Sequence, residues 1–300
     1  MANRSTVRTQ ILTLVSNSTM IAAADVNTII SAEHTSILES YSWSRRRAES
    51  VIETSAEYST GTLSGTGTTY TGSGTTWTSG MVGRFIRAGD NTFFHRITAF
   101  GSTTSLTIED TLPEDVDAGT SYTIFAHRYN LPSDFGRALS VTSDTRLMEM
   151  PKIDMDYLDP YRTSTATRPD RYAIFGLDPG TTSSQIYQIE FWPVPSSATA
   201  IRLEYLKNNS LTSDSDEPLY RSDILVWKAA EAATYFLHGK TGDAAWLALA
   251  DRFHQRYADE LQSAKEDDIG KYSAVSHVRD TYGLGVRGDD FWLSHDRLQG

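Results

Sequence analysis

Residues 59–80 read STGTLSGTGTTYTGSGTTWTSG, in which every residue is Gly, Ser or Thr except Leu63, Tyr70 and Trp77. This composition is typical of a flexible linker, but the residues that follow it are not linker-like. Strand-like segments follow at residues 81–87, 93–97, 105–108 and 121–125. Because Thr favours strands and Gly supplies turns, we predict short strands and tight turns here, as the start of a small β module.

Helical patterns lie on both sides of this module. Apolar residues recur at helical spacing in residues 6–16, and residues 23–54 are predicted to form one long helix. Two further helices are predicted towards the C-terminus, separated by a short break between Gly239 and Gly242. Their apolar stripes are Leu225, Ala229, Ala232 and Phe236 in the first helix, and Trp246, Leu249, Phe253, Tyr257 and Leu261 in the second.

These elements predict an α+β fold. A helical-bundle core, made of the long N-terminal helix and the C-terminal helix pair, carries an inserted small all-β domain and an extended C-terminal arm. Period-two alternation in residues 185–192 and 201–205 adds half-buried strands between insertion and helix pair. The predicted boundaries are residues 1–58 with 211–270 for the discontinuous helical core, 59–130 for the β insertion, 131–210 for a β-rich segment packed on the core, and 271–300 for the arm.

Charge and composition exclude several classes of function. The 300 residues carry a formal net charge of -11, which disfavours broad nucleic-acid binding because an acidic surface repels phosphate. The chain has no cysteine, so disulfides, thiolate nucleophiles and cysteine-ligated zinc are ruled out. No segment approaches the roughly 20 apolar residues of a membrane span, and residues 1–20 lack the apolar run of a signal peptide.

No candidate catalytic, cofactor or metal site stands out. Gly65-Thr66-Gly67 and Gly72-Ser73-Gly74 precede strands instead of the helix that a phosphate-binding loop requires. Acidic pairs at 154/156, 214/216 and 289/290 lack the spacing of a calcium-binding loop, which favours turn or cap roles. None of the seven histidines belongs to a His-x-x-x-His pair. We therefore predict a protein that is not an enzyme and holds no cofactor or metal.

Arg45, Arg46 and Arg47 form the only dense basic run. Consecutive residues of a helix point in different directions, so on the predicted long helix they do not form one patch. A solvated face, or one that forms salt bridges between subunits, is favoured over a DNA contact.

Five groups of residues together resemble the head-to-tail adaptor (connector) proteins of tailed bacteriophages. They are Tyr41-Ser42-Trp43 with the arginines that follow, residues 74–87, residues 121–125 with 131–135, residues 169–174 with 191–195, and Leu203-Glu204-Tyr205. Each group alone is weak, and their order and spacing over about residues 20–265 carry the resemblance.

The resemblance implies a structural protein of the virion head–tail junction, assembled in the host cytoplasm. It implies a homo-oligomeric ring, usually of twelve subunits, that binds beneath the portal, links the capsid to a tail tube or nozzle protein and continues the DNA channel. DNA would pass without sequence-specific binding, which an acidic lumen favours. The expected contact residues are Tyr272, Tyr282, Phe291 and Trp292 for the portal, and Trp43, Arg45, Arg46, Trp227 and Trp246 for the neighbouring subunit.

Other interpretations stay open. The β module could bind glycans or decorate a particle, with Tyr70 and Trp77 as exposed platforms, although Trp77 is equally suited to a core. A polysaccharide hydrolase would need a placed pair of carboxylates, and the sequence singles out none. The C-terminal arm is predicted to order on a partner, either the portal or the neighbouring subunit. The alternative is a terminus folded back on its own core.

Overall fold

The computed structural model describes residues 2–16, 19–89, 93–177 and 186–280. The chain divides into two compact units: residues 1–47 with 208–300, which we call the helical unit, and residues 48–207, which we call the β unit. Within the described residues, sixteen strands form four sheets and five segments are α-helical. The prediction of a helical-bundle core with a small all-β insertion is therefore wrong, because the β unit spans residues 48–207 and holds nearly all of the sixteen strands.

Helices and strands have the following bounds. The helices are α1 (Arg4–Leu14), α2 (Ala23–Ser40), α3 (Lys152–Leu158), α4 (Ser222–Thr241) and α5 (Ala245–Asp280). The strands are β1 (Arg47–Glu53), β2 (Thr62–Thr66), β3 (Thr69–Ser73), β4 (Phe85–Ala88), β5 (His95–Ser102), β6 (Ser105–Ile108), β7 (Val116–Thr120), β8 (Tyr122–Phe125), β9 (Arg128–Asn130), β10 (Phe135–Thr142), β11 (Met148–Glu149), β12 (Thr165–Ala166), β13 (Arg171–Leu177), β14 (Ile186–Trp192), β15 (Val194–Pro195) and β16 (Ala200–Lys207).

The helical unit packs α1, α2, α4 and α5 around one apolar core. Ile11, Ile30 and Leu225 are fully buried in it, and the small side chain of Ala229 lets a neighbouring helix come close. The buried ring of His34 forms a hydrogen bond with the Tyr220 hydroxyl, which lies 2.9 Å from its Nδ1. No helix in the described ranges combines the length and apolarity that crossing a bilayer requires.

The predicted long helix over residues 23–54 ends at Ser40. Tyr41 leaves the helix with φ -152° and ψ 148°, and β1 begins six residues later. In β1, Ile52 turns into the core and is 7% exposed, whereas Val51 is 60% exposed. The apolar residues in 47–53 are compatible with a helix and with a strand. The segment forms a strand because it pairs with β16, which is distant in the sequence.

The two C-terminal helices agree with the predicted helix pair. Gly242 ends α4 in the left-handed conformation, with φ 69°, as is common for a residue that follows a helix. The second helix, α5, continues to Asp280. Residues 271–280 are therefore helical and not the extended arm that we predicted, and residues 281–300 lie outside the described residues.

The Gly/Ser/Thr stretch forms the first hairpin of a seven-stranded sheet, which confirms the predicted strands and turns. The strand order is β7-β2-β3-β6-β5-β4-β8. All six pairs of neighbouring strands in it are antiparallel. The two edge strands, β7 and β8, are joined by the single residue Ser121.

Trp77 occupies the core of this sheet. Its side chain is 1% exposed, and its Nε1 donates a hydrogen bond to the Tyr122 hydroxyl at 2.9 Å. A Cβ atom on Gly72 would lie 2.9 Å from the Trp77 ring and closer still to Thr75, so glycine makes room for the indole. Tyr70 is also 1% exposed. The interpretation of Tyr70 and Trp77 as exposed glycan platforms is therefore wrong.

The other sheets of the β unit place the charged residues described below. Their orders are β1-β16-β10, β11-β13-β14-β9 and β12-β15. The antiparallel register of β13 and β14 runs from Arg171 opposite Trp192 to Leu177 opposite Ile186. On the other side of β14, Glu190 lies opposite Arg128 of β9.

We predict that Gly72→Ala lowers the free energy of unfolding by about 1–3 kcal/mol, the usual cost of overpacking a core. The added methyl group would press on Trp77 and Thr75. Urea unfolding followed by circular dichroism measures the change. Gly80→Ala is the matched control, because a Cβ there meets only Thr78 Oγ1, at 3.7 Å. Equal stability of the two variants would contradict the role of Gly72.

Candidate interaction surface

The helix α3 is too short to be stable by its own hydrogen bonds. It has seven residues, whereas isolated helices below about 12–15 residues are marginal in water. Its inner face supplies the missing stability: Met155 is fully buried, and Lys152 and Asp156 form an ion pair one turn apart. Both of these charged side chains also join a buried cluster of charges.

That ion cluster is centred on Glu190, whose side chain is fully buried. Arg162 Nε lies 2.5 Å from its Oε1. Its other oxygen, Oε2, lies 3.2 Å from Arg128 Nε and 3.5 Å from Lys152 Nζ. Arg162 also pairs with Asp156. A buried charge is tolerated only when it is paired, so Glu190 holds together β14, β9, α3 and the turn after α3.

The turn after α3 is strained and locked. Arg162 has φ 53°, a left-handed conformation that costs roughly 1–2 kcal/mol outside glycine. The Asp159 carboxylate accepts hydrogen bonds from the backbone N–H groups of Thr163 at 3.0 Å and Ser164 at 2.9 Å. Burial alone would raise the pKa of Asp159, but these hydrogen bonds outweigh it and lower the pKa. The carboxylate therefore stays ionised and keeps the turn in place.

His127 lies beside the cluster in an aromatic box. Its ring centroid is 4.3 Å from that of Phe85, 5.5 Å from Phe94 and 5.7 Å from Phe125. Neither ring nitrogen has a hydrogen-bond partner in the described part of the chain, and Glu190 Oε1 is 4.0 Å away. Burial, followed by the positive charges of Arg128, Arg162, Lys152 and Arg87, lowers the pKa of His127 well below its usual value. The ring is therefore neutral.

The outer face of α3 is apolar and open to solvent. Ile153 is 76% exposed, and Tyr157, one turn later, is 92% exposed. Leu158 and Tyr161 are also exposed, and the Tyr161 ring meets that of Phe93 edge-on, with centroids 5.7 Å apart. We call these five residues the α3 apolar surface. Grouped exposed apolar side chains mark sites of protein contact.

The sequence did not reveal this surface. In the sequence this segment stands out only by the acidic pair Asp154/Asp156, of which Asp156 is an ion-pair partner in the cluster. The sequence feature that indicates this surface is Pro151, which precedes a short helix with Ile153 and Tyr157 four residues apart. Such a pattern is too brief to be distinguished from a loop.

The residues predicted to contact a neighbouring subunit lie in the helical unit. Trp43 is in the core, 2% exposed, and its Nε1 donates to the Ile37 carbonyl at 3.1 Å. Arg46 is also buried and donates to the Leu38 carbonyl at 2.6 Å and to Asn208 Oδ1 at 2.9 Å. The neighbouring Arg45 is exposed.

Two further predicted contact residues lie on the C-terminal helices. Trp227 is half-buried, and its ring centroid is 5.8 Å from that of Phe253. Trp246 is half-buried against the helical core. Trp43 and Trp246 pack into the same apolar core of the helical unit, whereas Trp227 lies against Phe253. The role of all five residues in subunit contacts stays a prediction: Trp43, Arg45, Arg46, Trp227 and Trp246.

The residues predicted to contact the portal are not described at the side-chain level. Tyr272 lies on the helical backbone of α5, and Tyr282, Phe291 and Trp292 lie outside the described residues. Among the described residues, no group of three or more histidine or acidic side chains is placed to hold a metal ion.

A protein-family model described as SU10 adaptor protein matches residues 50–279. No curated protein matches the chain. The matched range contains α3, the whole ion cluster and nearly all of the C-terminal helix pair.

We predict that Glu190→Gln destabilises the β unit by about 3–5 kcal/mol, because it leaves buried cations without their counter-charge. Urea unfolding followed by circular dichroism measures the loss. Glu49→Gln is the matched control, since Glu49 and its partner Arg202 are both 52% exposed and solvent screens their pair. Similar midpoints for the two variants would contradict a central role for Glu190.

We also predict that His127→Phe reduces the loss of stability at acid pH. The unfolded chain takes up a proton on His127 below about pH 6.5, whereas the folded chain resists it. The native protein therefore loses up to about 1.4 kcal/mol per pH unit from this residue as pH falls. Phe fits the aromatic box and binds no proton. Urea unfolding of both proteins at pH 7.5 and 5.5 tests this, and equal pH dependence would contradict it.

Proposed function

Since this chain belongs to the SU10 adaptor protein family, whose model matches residues 50–279, we propose that it is a head-to-tail adaptor of a tailed bacteriophage. Membership makes the chain a bacteriophage adaptor protein, and the family is structural rather than enzymatic. In this proposal a ring of twelve copies lies beneath the portal, joins the capsid to a tail tube or nozzle protein, and lets DNA pass through its lumen.

The α3 apolar surface supports assembly into a ring. Neighbours in a ring meet head to tail, so each copy needs two different contact surfaces. The α3 apolar surface is exposed, yet the ion cluster beneath fixes its position. A rigid apolar surface loses little conformational freedom on binding. We assign it to the contact with the neighbouring copy.

The remaining contacts follow the predicted residues. Trp227 and Trp246, half-buried on the helical unit, are proposed to contribute to subunit packing. Tyr272, Tyr282, Phe291 and Trp292 are proposed to contact the portal. The net charge of -11 suits a lumen that does not retain DNA, because phosphate contacts from basic residues would slow its passage.

Electron microscopy of the purified protein, alone and with portal particles, tests the proposal. We expect rings, or rings that form on the portal, and portal particles extended at one end by an added layer. A chain that stays monomeric and never binds intact portal particles would overturn the proposal.

We predict that Tyr157→Ser weakens ring assembly without unfolding the protein. Tyr157 is 92% exposed, so its ring adds little to the fold. At a contact, truncating a central tyrosine costs about 2 kcal/mol or more, which is roughly 30-fold in affinity. Size-exclusion chromatography with light scattering over a concentration series measures the shift. Val82→Ser is the control, since Val82 is an exposed apolar residue of the same unit outside the α3 apolar surface. Equal assembly of both variants would exclude Tyr157 from the contact.

A further inference from the structure

Part of the α3 apolar surface comes from the seven-stranded sheet. Phe93, which is 62% exposed, lies two residues before β5 of that sheet, whereas Tyr161, whose ring it meets edge-on, follows α3. The next residue, Phe94, is packed inside: its ring centroid is 5.4 Å from that of Phe85 and 5.7 Å from that of Phe125. This aromatic packing within the sheet therefore fixes the point at which Phe93 reaches the surface.

A second link between the sheet and α3 is the side chain of Arg87, a residue of β4. Its Nη2 donates hydrogen bonds to two backbone carbonyls of the turn after α3, those of Tyr161 at 2.5 Å and Arg162 at 3.0 Å. The guanidinium carbon lies 5.0 Å from the ring centroid of Phe125, which is buried. Both links therefore depend on the same buried ring of the sheet.

The turn after α3 is held from two sides. Asp159 accepts hydrogen bonds from its backbone N–H groups, and Arg87 donates to its backbone carbonyls. The left-handed backbone of Arg162, with φ 53°, persists only where its surroundings compensate for the strain. The ion cluster holds the start of α3 through Lys152, whereas Arg87 holds the segment that carries Tyr161.

The positive charge of Arg87 is balanced within the β unit. Burial lowers the pKa of Arg87, and the negative charges of Asp159 and Glu57 oppose that shift. Arginine stays charged in proteins, so this guanidinium is a partly buried cation with carboxylates near it. A lysine would keep the charge, but its side chain is one atom shorter and lacks the planar group that stacks on an aromatic ring. Charge and geometry can therefore be tested separately.

We propose that the seven-stranded sheet sets the shape of the α3 apolar surface, with Arg87 as its positioning residue and Phe93 as a contact residue. Two parts of the chain that are distant in the sequence then build one surface, and the partner contacts both. The partner is a second copy of this chain, an identification that rests on the proposed function. Aromatic side chains are enriched at protein contacts, which suits the rings of Phe93, Tyr157 and Tyr161.

Hydrogen exchange measured by mass spectrometry tests the positioning role. Arg87→Lys is compared with Arg84→Lys, the matched control, because Arg84 also donates to two backbone carbonyls, neither of them in α3 or in the turn after it. Both variants also carry Tyr157→Ser, so that contacts between copies add little protection. We expect exchange in residues 158–164 to be about tenfold faster with Arg87→Lys, the equivalent of one lost hydrogen bond to a charged group.

Assembly is measured with chains that keep Tyr157. Size-exclusion chromatography with light scattering over a concentration series compares Arg87→Lys and Phe93→Ser with Arg84→Lys and the wild type. We expect the first two to assemble about tenfold more weakly than the last two, since one shifts the surface and the other removes an aromatic contact. Circular dichroism checks that every variant is folded under the conditions used.

Three outcomes would overturn the inference. Equal exchange of residues 158–164 in the two arginine variants would exclude Arg87 as the positioning residue. Faster exchange throughout the β unit would show that Arg87 supports the whole unit instead. Faster exchange confined to residues 158–164, with assembly unchanged, would separate the sheet from the contact.

The proposed function fails in a different way. Wild-type chains would then form no ring, alone or with portal particles, while the difference in exchange between Arg87→Lys and Arg84→Lys would still be observed. That result would keep Arg87 as the positioning residue of the surface and remove a second copy as its partner.

Discussion

The burial of the Glu190 carboxylate is the constraint on which the β unit depends. A carboxylate with no solvent exposure requires positive partners. Arg128 comes from β9, Lys152 from the first residue of α3, and Arg162 from the turn after it. One side chain of β14 therefore fixes three other segments. Because the charges hold α3 from within, its outer residues are released from stabilising the fold and are available for contact with a partner.

The sequence predicted those elements whose pattern is local. The alternation in residues 185–192 and 201–205 corresponds to β14 and β16, and the helix pair corresponds to α4 and α5. The resemblance to phage adaptors is confirmed at the level of the family. The fold class was wrong because β1 satisfies both periodicities, and its partner β16 lies more than a hundred residues away in the sequence. Local propensity does not decide such a segment.

The α3 apolar surface could not be predicted from the sequence, because the ion cluster beneath it also depends on the pairing of distant strands. Arg128 and Glu190 are ordinary charged residues until the register of β9 and β14 places them opposite each other. The ion pair between the two residues exists only in that register. A large aromatic residue in a Gly/Ser/Thr stretch fits either an exposed binding platform or a core. Trp77 is buried in the sheet, where the Tyr122 hydroxyl accepts a hydrogen bond from its Nε1.

Glycine makes room for aromatic rings in the opening stretch. In the first hairpin, Gly65 lies opposite Tyr70, and a Cβ on Gly65 would lie 2.7 Å from the Tyr70 ring. Gly72 makes room for Trp77 in the same way. Each glycine there leaves a space that a nearby ring fills.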